Sequence, residues 1–207
     1  MLKIIVVTPS IRPEYLNITQ DCLERQTFQN FEWLVEVGLP SRGFTLPSAM
    51  NNMLRVAKGD IVVSLQDCIT IPPNFLEDLL KLDLTKAWTF PVVKENTNGD
   101  WRLHRDGNTS PEEWEMDLAC APLSFFKDVG GFDESYCNGW SYDNVEIAIR
   151  AKAAGYSFMC NPYLIGMAID HDEIIPHPFR KKLISNKWRV EFTRDEAARG
   201  NYNVGEL

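Results

Sequence analysis

Hydrophobic and polar positions alternate in blocks along the chain. Leu2 to Val7, broken by Lys3, is a short apolar run rich in β-branched residues that stops at Thr8-Pro9-Ser10. A run of this length bounded by turn-forming residues predicts a buried first strand. Pro13 fits the first turn of a helix over 14–26, where Leu16, Cys22 and Leu23 recur at helical spacing. Phe31 to Val37 predicts a second strand. After the loop PSRGFTLPS a helix is expected over 49–57, with Gly59 as its C-cap. Ile61 to Leu65 predicts a third strand, and Pro72-Pro73 opens a helix over 74–82. The first 82 residues therefore read β-α-β-α-β-α, which predicts a mainly parallel central sheet flanked by helices. Ligands of such sheets sit beyond the carboxyl ends of the strands. Thr8-Pro9-Ser10, Gly38 and the turn at Asp67 are thus expected to converge on one crevice.

The rest of the chain is less regular. Residues 95–113 are polar and rich in Asn, Gly, Asp and Thr, the pattern of a long loop or small hairpin. A short helix is expected over 124–129, closed by Gly130-Gly131, and a longer one over 143–154, ended by Gly155. A strand is expected from Tyr163, and a basic helix over 179–199. With no repeat, low-complexity tract or linker, residues 1–207 read as one domain.

Composition narrows the classes. A chain of 207 residues suffices for one α/β domain that buries about 70% of its unfolded surface. A formal net charge of -8 argues against non-specific nucleic-acid binding, which needs Lys and Arg to neutralise phosphates. No apolar run approaches the ~18 residues of a membrane span. The N-terminal apolar run is short and lacks a small-residue cleavage site, unlike a signal peptide. The five cysteines, Cys22, Cys68, Cys120, Cys137 and Cys160, are odd in number and form no CxxC pair. That argues against a zinc site or disulfide framework and for a reducing, cytoplasmic setting.

Three segments carry a resemblance. TPSIRPEYLNITQDCLERQTFQNFEWLVEVG, residues 8–38, has a strand, Thr-Pro, Arg-Pro, a helix ending in Gln-Thr, and Asn-Phe-Glu before a strand. AKGDIVVSLQDCITIPPNFLEDLL, residues 57–80, has a Gly-Asp strand, an acidic turn and a Pro-Pro-x-Phe-Leu helix. GGFDESYCNGWSYDNVEIAIRAKAAGY, residues 130–156, has Gly-Gly-Phe-Asp-Glu, Gly-Trp and an acid opening a helix. In this order they resemble the inverting family 2 glycosyltransferases, the last also the acceptor motif of the β-1,4-galactosyltransferases. The resemblance implies an α/β GT-A (Rossmann-like) nucleotide-sugar transferase fold. Residues 1–82 would form its nucleotide-binding half and 83–207 its acceptor-binding half. It also implies transfer of a sugar from an NDP-sugar, UDP-linked, to a hydroxyl of a glycan, lipid-linked or protein acceptor, with inversion.

Residue roles follow from that resemblance. A departing nucleoside diphosphate gathers negative charge, which a carboxylate-bound Mn2+ or Mg2+ offsets. The family places Asp-x-Asp on this turn. Here the triplet is Leu65-Gln66-Asp67, so the first acid is missing and Asp67 matches the second. His171 is the expected second metal ligand, ahead of His177 and His104. Asp143 matches the base that takes the acceptor's proton, with Asp133 and Glu134 behind it. The competing reading of Asp143 is an N-cap in a capping box with Glu146. Tyr142 stands where the family often has Glu. Thr8, Pro9, Ser10, Arg12, Glu36 and Asn51 match the nucleotide-sugar pocket together with Asp67. Trp140 and Trp114 are expected as a wall for sugar stacking, beside Tyr142, at the acceptor. The basic tail (Arg180, Lys181, Lys182, Lys187, Arg189) reads as a solvated helix face, or as a diphosphate contact. A nucleotidyltransferase is disfavoured because TPSIRPEYL lacks a Gly-rich basic loop. A decayed scaffold serving as a sugar-binding or assembly protein is the alternative, prompted by the missing acid and Tyr142.

Overall fold

A computed structural model describes residues 2–38, 44–94, 107–138, 142–169, 183–205 and 207. Strand β1 (Ile4–Ser10) is buried along its whole length. It lies between β2 (Phe31–Val37) and β3 (Ile61–Leu65), parallel to both. A strand covered on both faces needs a continuous apolar run, which Ile4-Ile5-Val6-Val7 supplies. β1 continues beyond the predicted end: Thr8, Pro9 and Ser10 pair with Val35, Glu36 and Val37, while pairing to β3 stops at Val7. Pro9 has no N–H, and it is tolerated here because only one side of the strand is paired.

A single 3-10 turn at Pro13–Tyr15 leads into α1 (Leu16–Glu24). Helix α2 (Leu46–Val56) starts earlier than expected because Thr45 caps it, its hydroxyl accepting from the Ser48 N–H at 3.3 Å, and Pro47 fits the first turn. Gly59 is not its C-cap; Ala57 is. A Cβ on Gly59 would stand 2.5 Å from Ile5 Cδ1 and 2.9 Å from the Lys3 carbonyl, so glycine lets this turn pass close against β1. After β4 (Ile69–Thr70) comes the short α3 (Phe75–Leu79). Buried Gln26 staples the end of α1 to it, donating to Pro72 O at 2.9 Å and accepting from Leu76 N at 3.1 Å.

The remaining strands are β5 (Ala87–Thr89), β6 (Val92–Lys94), β7 (Gly107–Asn108), β8 (Leu118–Pro122), β9 (Phe158–Cys160) and β10 (Gly166–Ala168). The main sheet has seven strands in the order β2-β1-β3-β8-β5-β9-β7. β8 runs antiparallel between β3 and β5, and β7 runs antiparallel to β9; the other five are mutually parallel. A smaller sheet joins β4, β10 and β6. Helices α4 (Leu123–Asp128), α5 (Asp143–Ala153) and α6 (Leu183–Ala198) complete the chain. Gly130 and Gly131, at φ 75° and 77°, end α4 in a conformation that only glycine adopts freely.

Alternation along β1 divides the core. Ile5 and Val7 pack with Met50, Leu54, Trp114, Phe125 and Ile147 on one face. Ile4 and Val6 pack with Leu23, Phe75, Phe90 and Leu118 on the other. Full burial of each such side chain stabilises by roughly 1.5–3 kcal/mol. Cys22, Cys68, Cys120 and Cys160 are buried free thiols. Among the described residues, no helix is long and apolar enough to cross a membrane.

Candidate active site

The ends of β1, β2 and β3 do converge. Gly38 N, after β2, donates to Ser10 O at 3.0 Å. Asp67 follows β3 and is 2% exposed. Its Oδ2 accepts from Ser10 Oγ and its Oδ1 from Arg12 Nη2, each at 2.6 Å. Arg12 N closes the loop on Ser10 Oγ at 3.0 Å, and Thr19 Oγ1 donates to the Asp67 carbonyl at 3.3 Å. Burial works against the Arg12 charge, but the hydrogen bond and charge of Asp67 outweigh it and raise the guanidinium above its ordinary value. Burial likewise pushes the Cys68 thiol up, against Arg12 and with Asp67 and Asp117, so Cys68 stays protonated.

Around this triad the other expected nucleotide residues have varied fates. Thr8 is fully buried, and its hydroxyl accepts from Trp33 Nε1 at 2.9 Å. Pro9 lies opposite Glu36, whose half-buried carboxylate accepts from Asn52 Nδ2 at 2.8 Å. Asn51 does not offer its amide to the crevice. It is 3% exposed and clamps the Phe132 backbone, Nδ2 to O at 2.9 Å and Oδ1 from N at 2.8 Å, which fixes the Gly-Gly-Phe turn to α2.

Asp143 opens α5, but as the first helical residue and not as the cap. The N-cap is Tyr142, at φ 73°, the sole non-glycine with positive φ among the described residues. Its carbonyl accepts from Glu146 N at 2.8 Å. Burial raises the Asp143 carboxyl above the usual carboxylate range; its own and Asn144's backbone N–H groups oppose this, and Asp117 adds repulsion. The capping-box reading is corrected, because Glu146 does not reach back to the cap. It is buried and paired with Arg150, Nε to Oε1 at 2.6 Å and Nη2 to Oε2 at 2.7 Å. Arg150 also donates to Val129 O at 2.6 Å and Gly131 O at 2.8 Å, holding the other side of the glycine turn.

Asp117 was not anticipated. It directly precedes β8, and because β8 is antiparallel its start lies at the carboxyl ends of the parallel strands. Its Oδ1 accepts from Gln66 Nε2 at 2.6 Å, and its carbonyl accepts from Gln66 N at 3.1 Å. Next to it, Asn144 Nδ2 donates to Trp114 O at 2.9 Å. The Asp67 turn and the start of α5 are thus joined through the segment 114–117. An acid abutting a strand was the available signal, hidden because β8 was not read as a strand.

Trp114 is corrected outright. It is 0% exposed, its Nε1 donates to Trp88 O at 3.2 Å, and its ring packs 5.2 Å from Phe125 and 5.9 Å from Phe158. It is core, not a sugar platform. Trp140 and His171 lie outside the described residues, as do His104, His177 and 95–106 of the polar loop. In the basic tail, Arg189 stacks 5.6 Å over Tyr136, and so faces the loop after Gly-Gly-Phe and not the Asp67 turn.

Asp67 accepts from Arg12 on one oxygen and from Ser10 on the other, Leu65 stands where the family's first acid is expected, and Cys68 is a protonated thiol. The described donors of this turn therefore do not fit a divalent ion, and the described residues hold no cluster of three ligating side chains.

No protein-family model matches the chain, and no curated protein gives a significant sequence match. Solved structures match well in shape. S. aureus TarS in complex with UDP-GlcNAc superposes with TM-score 0.70 at 13% identity, over 93% of this chain and 66% of that one. GalNAc-T7 with UDP, GalNAc and Mn2+ gives 0.70 at 16%, over 98% and 50%. The mannosyltransferase PcManGT from Pyrobaculum calidifontis, with GDP-Man and Mn2+, gives 0.59 at 16%, over 99% and 76%. The chain spans 39% of a longer TarS structure. A seven-stranded mixed sheet flanked by helices, shared with these enzymes, is the GT-A glycosyltransferase fold. At such identities the likeness is one of fold.

Proposed function

We propose that this chain is a family 2-like glycosyltransferase that moves a sugar from a nucleoside-diphosphate donor, UDP-linked, to an acceptor hydroxyl with inversion. One observation carries the reading. At the carboxyl ends of a GT-A sheet stand two carboxylates in opposite environments, Asp67 paired with a cation and Asp143 raised by burial. Carboxylates pushed apart in this way mark separate chemical roles.

In the proposed reaction the acceptor oxygen attacks the anomeric carbon from the face opposite the diphosphate. Its proton passes to Asp143 while the bond from carbon to phosphate oxygen breaks, and that electron pair leaves with the nucleoside diphosphate. The charge that gathers there calls for positive charge or N–H donors near the first loop, where Ser10 and Arg12 stand. Glu36 lies near the base end of the pocket. Tyr142 and Trp140 are the proposed acceptor contacts.

The test is a panel of UDP- and GDP-sugars, with nucleotide release and melting temperature measured for each. A donor-induced rise in melting temperature with release of nucleotide is the expected result. Leu65 in place of the first acid, with Tyr142 where the family often has Glu, favours the second reading, a decayed sugar-binding scaffold. Stabilisation by a sugar without turnover would support that reading instead. No response to any nucleotide sugar would sink the first.

A further inference from the structure

We propose that Arg12, anchored by Asp67, supplies the positive charge that binds the donor diphosphate, in place of a divalent cation. This rests on the nucleotide-sugar reading above and deepens it. Asp67 is then a positioning residue, not a metal ligand.

Arg12 and a metal ion would compete for one carboxylate. A metal ion at this turn would have to share Asp67 with Arg12 Nη2 on Oδ1 and Ser10 Oγ on Oδ2, and to sit close to the Arg12 guanidinium, where like charges repel. The pair is nearly enclosed, at 12% exposure for Arg12 and 2% for Asp67, so it is weakly screened and holds its geometry. Leu65 stands where the first acid is expected, so a negative charge that a dication would use is missing, and Gln66 beside it is neutral. The Gln66 amide is instead committed to Asp117. Arg12 is the cation set directly against Asp67 at this turn, with Asp117 further out on Gln66.

The guanidinium itself has capacity left. Arginine offers five N–H donors in a planar fork, a geometry that matches phosphate oxygens. Arg12 Nε is enclosed and has no partner among the described residues. A buried, unpartnered donor points to a missing acceptor. The ring of Tyr15, 5.7 Å from the Arg12 guanidinium carbon, braces the fork from the 3-10 turn that follows. The location is right as well, since the loop after the first strand lies at the carboxyl edge of the sheet, where ligands of such folds bind. Ser10 ties the elements together, because the same hydroxyl contacts Asp67 and receives the Arg12 N–H.

The experiment is calorimetric titration of the purified chain with UDP and with GDP, in EDTA and in millimolar Mn2+. At least one nucleotide should bind with the same Kd in both conditions to within about twofold. Arg12→Ala should weaken that binding about tenfold or more, the loss of charge-assisted hydrogen bonds to phosphate. Arg12→Lys keeps the charge but not the fork, and should weaken it less, at an unchanged melting temperature. That variant separates a binding defect from a folding defect. Binding that vanishes in EDTA and returns with Mn2+ overturns the proposal and leaves the nucleotide reading standing. Wild-type affinity in Arg12→Ala also overturns it. Failure of both nucleotides to bind the wild type in either condition removes the nucleotide reading itself.

Discussion

Asp67 and Asp143 are the same side chain at the same end of one sheet, and their surroundings diverge. Asp67 follows a parallel strand and is met by Ser10 at the end of the neighbouring strand and by Arg12 just beyond it. Asp143 begins a helix and, among the described residues, has no cationic partner. It has two backbone N–H groups and the repulsion of Asp117. In the proposed reaction the first carboxylate anchors Arg12 and the second accepts the acceptor's proton. The difference comes from neighbours, not from the residue, and it explains how one crevice can separate anchoring from acid–base work.

The sharpest way to break this contrast is Asp143→Asn. Transfer should fall by about 10²–10⁴-fold with nucleotide affinity unchanged, measured by product formation beside calorimetry. The same substitution should raise the melting temperature at neutral pH. A raised carboxyl holds its proton more tightly in the folded chain than in the unfolded one. Stability from that group is therefore full at low pH and lost as pH rises through its elevated range. Transfer by the wild type should climb over that same range, above where an ordinary carboxylate titrates, and a flat profile there would count against Asp143 as base.

Next in size is the support behind Asp143. Arg150→Met strands the buried Glu146 carboxylate and frees the carbonyls of Val129 and Gly131, which should cost about 3–5 kcal/mol in urea unfolding. Asp67→Asn should cost less, about 2–3 kcal/mol, because Arg12 retains some solvent when its partner loses charge. A stabilising effect of Asp67→Asn would erase the difference drawn between the two carboxylates. The smallest change is Tyr142→Gly. It relieves a left-handed tyrosine but removes a ring packed against the cluster of Val145 and Ile149 and loosens the unfolded chain, so stability should move by no more than about 1 kcal/mol. If Tyr142 also touches acceptor, KM for acceptor rises in that variant while nucleotide affinity stays put.

The first half of the fold was legible because β1 and β3 are built on apolar runs between turn residues and β2 on aromatic and β-branched positions; β2 and β3 were bounded correctly from pattern alone. β8 was not, since Leu-Ala-Cys-Ala-Pro lacks the β-branched and alternating signal of a strand. Missing β8 also hid Asp117, whose importance comes only from the antiparallel direction of that strand. Glu146 fits a capping box and equally an i, i+4 pair with Arg150. Burial decided between them, and burial is a tertiary fact. Trp114 failed for the same reason, as an aromatic looks alike in sequence whether it walls a cleft or fills a core. Thr8, Asn51 and Asp67 are each held by hydrogen-bond partners as many as 83 positions away, in segments that only the folded chain brings near.

The antiparallel insertion of β8 has a consequence for how the chain can be cut or made. Until residue 122 is available, β3 presents a row of bare backbone donors and acceptors along the side that β8 later covers. Unpaired strand edges template self-association. A fragment ending near residue 82 should therefore clump in solution, and a ribosome-bound chain of that length is where a chaperone would be most needed.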